Sequence, residues 1–161
     1  MAVDMFLKLD GIDGESQDST HKGWIEVDSF SWGVSNTSIG SATGGAGAGK
    51  ASFQDLHFEQ LFDKSSAQLA LYCASGKHIS SAILSVRKAG GSTDAAGNAS
   101  LEFLKIKMTD VLVSSFQVAG ANGEDDRPTE GASLNFLKIE FDYVAPTGEE
   151  TDIAIDLRQS S

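Results

Sequence analysis

The chain has 161 residues, 40% of them hydrophobic and 22% charged, with 12 Lys+Arg against 23 Asp+Glu and a formal net charge of −11. A chain of this length buries about two-thirds of its unfolded surface, enough for one core and short for two, so residues 1–161 are expected to form a single domain. The acidity argues against nucleic acid and against membrane insertion, because the scattered basic residues make no patch that would attract a phosphate backbone or an anionic surface.

From the N-terminus, Val3, Met5, Leu7 and Leu9 alternate with polar residues and predict a half-buried strand ended by an Asp10-Gly11 turn. Met1 to Lys8 carries neither a basic leader nor a long apolar stretch and is therefore expected to be structural, not a cleaved signal. In the run Trp24 to Val34, Trp24, Phe30, Trp32 and Val34 share one parity while Ile25 and Val27 take the other. That pattern predicts a long strand that changes its buried side near Asp28. With Phe30 and Trp32 buried, Ser29 and Ser31 face the opposite side.

Gly40 to Gly49 is made almost entirely of small residues and reads as a loop. Its end, Gly44-Gly45-Ala46-Gly47-Ala48-Gly49-Lys50-Ala51, approaches a phosphate-binding G-x-x-x-x-G-K-[ST]. The hydroxyl required after Lys50 is replaced by Ala51, and the following residues read as a strand where the motif needs a helix. Strand-like runs continue over 51–60, 82–88, 100–108, 111–118, 134–144 and 153–158, giving about eight strands in a barrel or sandwich. One segment breaks the rhythm. Ser65-Ser66-Ala67-Gln68 has the form of a capping box, with Asp63 just upstream for the N-terminal charge. Leu69, Ala70, Leu71, Cys73 and Ala74 favour a helix of about ten residues, closed by Gly76 as the left-handed C-terminal position.

Candidate chemistry is sparse. Cys73, the single cysteine, permits no intrachain disulfide, and its place on the apolar stripe of the helix makes it a structural thiol and not a nucleophile paired with His78. His21, His57 and His78 share no ligand spacing, so neither a metal nor another cofactor is expected. Glu124, Asp125, Asp126 and Glu130 lack the alternation of a calcium loop and read as solvated charge. No enzyme is indicated, and a protein of this kind acts through its surfaces. One such reading is a β-sandwich module for carbohydrate or another ligand, with Trp24 or Tyr143 as a stacking platform.

Across the whole chain, short blocks match a known family in order. They begin with Ala2-Val3-Asp4-Met5-Phe6-Leu7-Lys8, Gly14-Glu15-Ser16, His21, Ile25-Glu26-Val27 and Phe30-Ser31-Trp32-Gly33. They continue with Gly49-Lys50, Phe62-Asp63-Lys64-Ser65, Cys73-Ala74-Ser75-Gly76-Lys77-His78 and Arg87-Lys88-Ala89-Gly90-Gly91. They end with Val111 to Ser115, Gly123-Glu124-Asp125, Leu134-Asn135-Phe136 and Leu157-Arg158-Gln159. In this the chain resembles the haemolysin-coregulated protein (Hcp) family, departing from it at Phe30, Asp126 to Pro128 and Ile155.

The resemblance implies a mainly β fold, a two-sheet barrel with one short flanking helix, assembled as a homohexamer. Its rings would stack into the inner tube of the type VI secretion system, driven by a contractile sheath on a baseplate behind a VgrG-type spike. The tube protein would be cytoplasmic before export and secreted without a cleaved leader, with effectors carried in its lumen. On that basis Ser29 and Ser31 are candidates for the channel wall. Gly40, Gly44, Gly45, Gly47, Gly49 and Lys50 mark a candidate ring-stacking loop.

Overall fold

A computed structural model describes residues 3–36, 50–89, 102–123 and 127–157. In chain order the first elements are β1 (Val3–Leu9), β2 (Ile25–Val27), β3 (Ser29–Ser31), β4 (Val34–Asn36), β5 (Ala51–Phe53) and β6 (Leu56–Leu61). They are followed by α1 (Ser66–Ser75), β7 (His78–Lys88), β8 (Glu102–Ala119), β9 (Thr129–Val144) and β10 (Glu150–Asp156). The main sheet has eight strands in the order β2-β1-β7-β8-β9-β6-β3, with β10 added on β9, while β4 and β5 form a separate two-stranded sheet. The expected barrel of two sheets with one helix is thus the fold of the chain.

The run from Trp24 does change face at Asp28, and the consequence is larger than a bulge. β2 pairs with β1 at one end of the sheet and β3 pairs with β6 at the other. The single step through Asp28 therefore carries the chain across the seam of the barrel. There the Asp28 N–H donates to the Glu59 carbonyl at 2.8 Å, which nearly closes the sheet on itself. Two strands expected from the sequence, 100–108 and 111–118, are one strand, β8. Buried residues along β8 are Ile106 and Met108, then Val111 and Val113, so the inward parity flips between them. Its neighbours flip at the same level, from Ile79 to Ala82 on β7 and from Phe136 to Ile139 on β9. A corner therefore crosses three strands, and Asp110 turns it with φ of 56°. Aspartate tolerates this left-handed conformation better than most side chains, so the strand bends without ending.

The first residues of β7 and β9 escaped the sequence reading because Ser80-Ser81 and Thr129 to Ser133 have weak strand propensity. Pairing on both sides holds them: β9 is bonded to β6 from Thr129 to Leu134 and to β8 along its length. Phe58, Leu56, Leu84, Met108, Leu134 and Phe136 fill the interior.

The helix spans ten residues and closes on Gly76 at φ 70°, as expected. Its N-terminus departs from the expected box. Ser65 is already in helical conformation and its side chain makes no cap, so Gln68 has nothing to reciprocate and stays exposed. Asp63 does the capping two residues earlier: its Oδ1 accepts the Ser65 N–H at 2.8 Å, and its own N–H donates to Ser66 Oγ at 2.9 Å.

If Asp110 is the hinge of the corner, a β-branched residue there is strained and a glycine is not. Asp110→Val should destabilise the domain by about 1–2 kcal/mol in urea denaturation, and Asp110→Gly by clearly less.

Candidate functional site

Ser29 and Ser31 are exposed on β3, on the side opposite half-buried Phe30, and Ser29 Oγ donates to Glu59 Oε2 at 3.2 Å. Trp32 turns inward, 5.4 Å from the ring of Phe141 and 6.4 Å from that of Phe136. Gly40, Gly44, Gly45, Gly47 and Gly49 lie outside the described residues, in the connection between β4 and β5. Exposed Lys50 leads directly into β5, so a strand stands where a phosphate loop requires a helix.

Cys73 is half-buried and packs against the core, whereas exposed His78 has its Nδ1 2.9 Å from Asp110 Oδ1. His57 Nδ1 lies 3.1 Å from Ser133 Oγ. Among the described residues no group of three or more His, Cys, Asp or Glu is placed to hold a metal ion. Trp24 is half-buried, edge-on to His21 and beneath Lys8, so it presents no open stacking face; Tyr143 is the exposed member of the pair.

One charge expectation is overturned. Glu130 is not solvated but buried at the start of β9. Ser66 Oγ donates to one carboxylate oxygen, and Gln60 Nε2 donates to the other at 2.8 Å. Burial pushes its carboxyl above the usual range, the two donated hydrogen bonds hold it back, and nearby Asp63 adds to the rise. The cluster binds the start of α1 to β6 and β9.

A second cluster, centred on Arg87, was not legible as a site. The loop 13–24 folds back over β1 and β7, entering at Gly14, where an added Cβ would fall 2.4 Å from the Trp24 carbonyl oxygen. His21 stacks on Phe6 at 4.5 Å, with Nδ1 3.0 Å from Asp18 Oδ2 and Nε2 3.1 Å from Ser85 Oγ. Arg87 grips Asp18 through both terminal nitrogens at 2.9 and 2.7 Å and lies over the Phe6 ring. The hydrogen bond from Arg87 holds the Asp18 carboxyl far below the usual carboxylate range, against the opposing effect of burial, and the same bond raises Arg87. The Asp-x-x-His spacing and an arginine at a strand position with an inward-facing neighbour were the only sequence signals for it.

The third feature is apolar. On the end of the β8–β9–β10 ribbon, Leu104 is opposite Tyr143, Phe141 opposite Ile153, and Ile139 opposite Ile155. Strand parity puts these residues on the face that begins as core at Ile139 and continues outward. Along it burial falls away, until Tyr143 is 41% and Ile153 55% exposed. β10 has a strand partner on one side only among the described residues.

The barrel thus carries two internal polar braces and an apolar face that runs into solvent at Tyr143 and Ile153. The family described as "Type VI secretion system effector, Hcp" matches residues 6–143. The chain is 46% identical to the protein hcp1 of Pseudomonas aeruginosa over 143 residues, 89% of this chain and 84% of that protein. Its structure is similar to that of Hcp1 from Salmonella typhimurium, at a TM-score of 0.79 and 36% identity, covering 100% of this chain and 99% of that one. It also resembles a type VI secretion system effector from Yersinia pestis, at a TM-score of 0.76 and 35% identity over 95% and 99% of the two chains. The chain belongs to the Hcp family of the type VI secretion system, and its role is in that secretion apparatus.

The Asp18–Arg87 pair gives a pH-dependent test. Asp18→Asn should cost about 2 kcal/mol at neutral pH, the range for a charge-assisted hydrogen bond. A depressed carboxyl contributes fully above the unfolded pKa of about 3.9, and the contribution is lost as pH falls below it. The gap between wild-type and variant urea stabilities should therefore stay constant from pH 7 to about 5 and shrink below about 4.

Proposed function

We propose that this chain is the subunit of the secretion tube. Six copies close a ring, rings stack, and a contractile sheath on its baseplate drives the stack and a VgrG-type spike outward, with effectors carried in the lumen. The protein does this without catalytic chemistry, from a cytoplasmic pool before export. The observation that carries the reading is the apolar face of β8, β9 and β10, which runs out of the core into solvent at Tyr143 and Ile153. A strand edge and an apolar face left open together invite association, and a closed ring covers both in a repeating way.

Two further parts of the reading rest on position. Ser29 and Ser31, small and exposed, suit a channel wall that must pass unlike cargoes without holding any of them tightly. The glycine-rich connection of β4 and β5, with Gly40, Gly44, Gly45, Gly47, Gly49 and Lys50, suits ring stacking, because it leaves from a sheet that is separate from the barrel. Ordering so many small residues carries an entropic cost that keeps stacking weak until the apparatus templates it.

Ile153→Asp places a charge on the uncovered face at a site already in water, so the monomer should keep its stability within about 0.5 kcal/mol. By native mass spectrometry the wild type should be hexameric and the variant should not; a variant that remains hexameric removes this face from the ring interface. Shortening residues 40–49 should leave hexamers intact and abolish tubes in electron micrographs, together with secretion.

A further inference from the structure

The face of the β8–β9–β10 ribbon opposite the apolar one is charged, and register sets its residues in rows across the three strands. The rows are Thr109, Lys138 and Asp156, then Lys107, Glu140 and Ala154, then Lys105, Asp142 and Asp152. In the first two rows no like charges are neighbours, and Lys138 Nζ also lies 3.4 Å from Glu140 Oε1. The third row sets two carboxyl groups directly opposite each other. Both residues are exposed, near the tip of the β9–β10 hairpin and at the level of Tyr143 and Ile153 on the other face.

Like charges directly opposite on paired strands weaken the pairing. One proton reverses the sign, because a carboxyl donates to a carboxylate where two carboxylates only repel. β10 feels this more than an inner strand would, since its pairing with β9 is the only one it has among the described residues. The charged groups around Asp142 are Asp152 and Glu150 on β10, Glu140 on β9, and Lys105, Lys107 and Glu102 on β8. β10 brings no cation of its own, and Lys105 is shared with Glu102 at 3.5 Å. Loss of solvent on the sheet raises the Asp142 carboxyl above its usual range, the hydrogen bond and charge of Asp152 raise it further, and Lys105 and Lys107 oppose the rise.

We propose that Asp142 and Asp152 form a proton-operated clasp that sets how firmly the tip of the β9–β10 hairpin is held. A shared proton closes the clasp; ionisation of both groups loosens it. A carboxyl raised in the folded state costs nothing below the unfolded value of about 3.9, and the cost appears as pH rises through the raised value. The tip is therefore firm in mild acid and looser at neutral pH. Tyr143 and Ile153 sit on the same segment, so the clasp also governs how rigidly the apolar face is presented to a second copy. That last link rests on the ring reading above.

The test has two arms on the full chain. In the first, hydrogen exchange of the amides of residues 150–153 is followed by NMR and corrected for the intrinsic effect of pH. Wild-type protection should be about threefold higher at about pH 4.5 than at about pH 7.5. Asp152→Asn should hold the higher value at both, whereas Asp156→Asn, which removes the same charge opposite Lys138, should behave as wild type. Wild-type protection that does not change with pH, an unchanged pH dependence in Asp152→Asn, or an equal gain in Asp156→Asn overturns the clasp. In the second, sedimentation velocity at about pH 7.5 compares the same three proteins, and Asp152→Asn alone should lower the concentration for half-assembly about threefold. Equal assembly of all three overturns the link to the apolar face. Wild type that stays monomeric at every concentration overturns the ring reading, while the exchange arm still decides the clasp.

Discussion

Everything in the barrel depends on one corner. An alternating strand can keep a single face buried only while it stays straight relative to the core, and β8 and β9 are too long to do so. A strand of 18 residues spans roughly 60 Å, more than the width of a domain this size. Both strands therefore have to exchange inward and outward residues part-way along, and they do it together with β7 at the level of Ser80, Asp110 and Leu137. Because the flip is shared, the ladder resumes in the same register on the far side, with Met108 opposite Ile139 before it and Val111 opposite Phe136 after it. One sheet thereby wraps a core with strands that each serve both of its halves. The seam at Asp28 is the counterpart, the place where the chain crosses from the first strand of that sheet to the last.

The corner also explains what could be read from the amino acids. Alternation found β1 and most of β8 and β9, because those segments bury one face over several residues, but it joined β5 and β6, which belong to different sheets, in one run over 51–60. It divided β8 at Thr109-Asp110, since a parity flip in a list of residues looks the same as a turn. It passed over Thr129 to Ser133, where the strand is held by two neighbours and not by its own propensity. The helix was legible to the residue at its C-terminus because a glycine must stand there, and displaced at its N-terminus because Asp63 and Ser65 are both competent caps. Which of them acts depends on where the preceding strand releases the chain.

The functional surfaces were less legible than the fold, and the reason is physical. Contacts between long-separated residues leave no spacing to detect. Arg87 and Asp18 are 69 residues apart and Gln60 and Glu130 are 70 apart, yet each pair is a brace between elements. The acidic residues near the second pair suggest solvent, but β9 pulls Glu130 inward. The resemblance to a family supplied a function from ordered blocks of residues; the geometry adds an apolar face on β8, β9 and β10 that no single block contains.

The uncovered ribbon is modest in area, and this bears on how an assembly would be stable. Apolar burial is worth roughly 25 cal/mol per Å², so an interface anchored on Tyr143 and Ile153 gains only a few kcal/mol before the cost of association is met. Two copies alone would then dissociate readily. In a closed ring each copy is held on two sides, and opening one contact leaves its partners at a high effective concentration for rebinding. Weak contacts that are stable only on closure would suit the proposed tube subunit, which would wait as separate copies and then assemble in one defined shape. Tightening the single interface, for instance with a larger apolar face on β10, would favour open chains of subunits over rings, because an early misfit would no longer have time to dissociate.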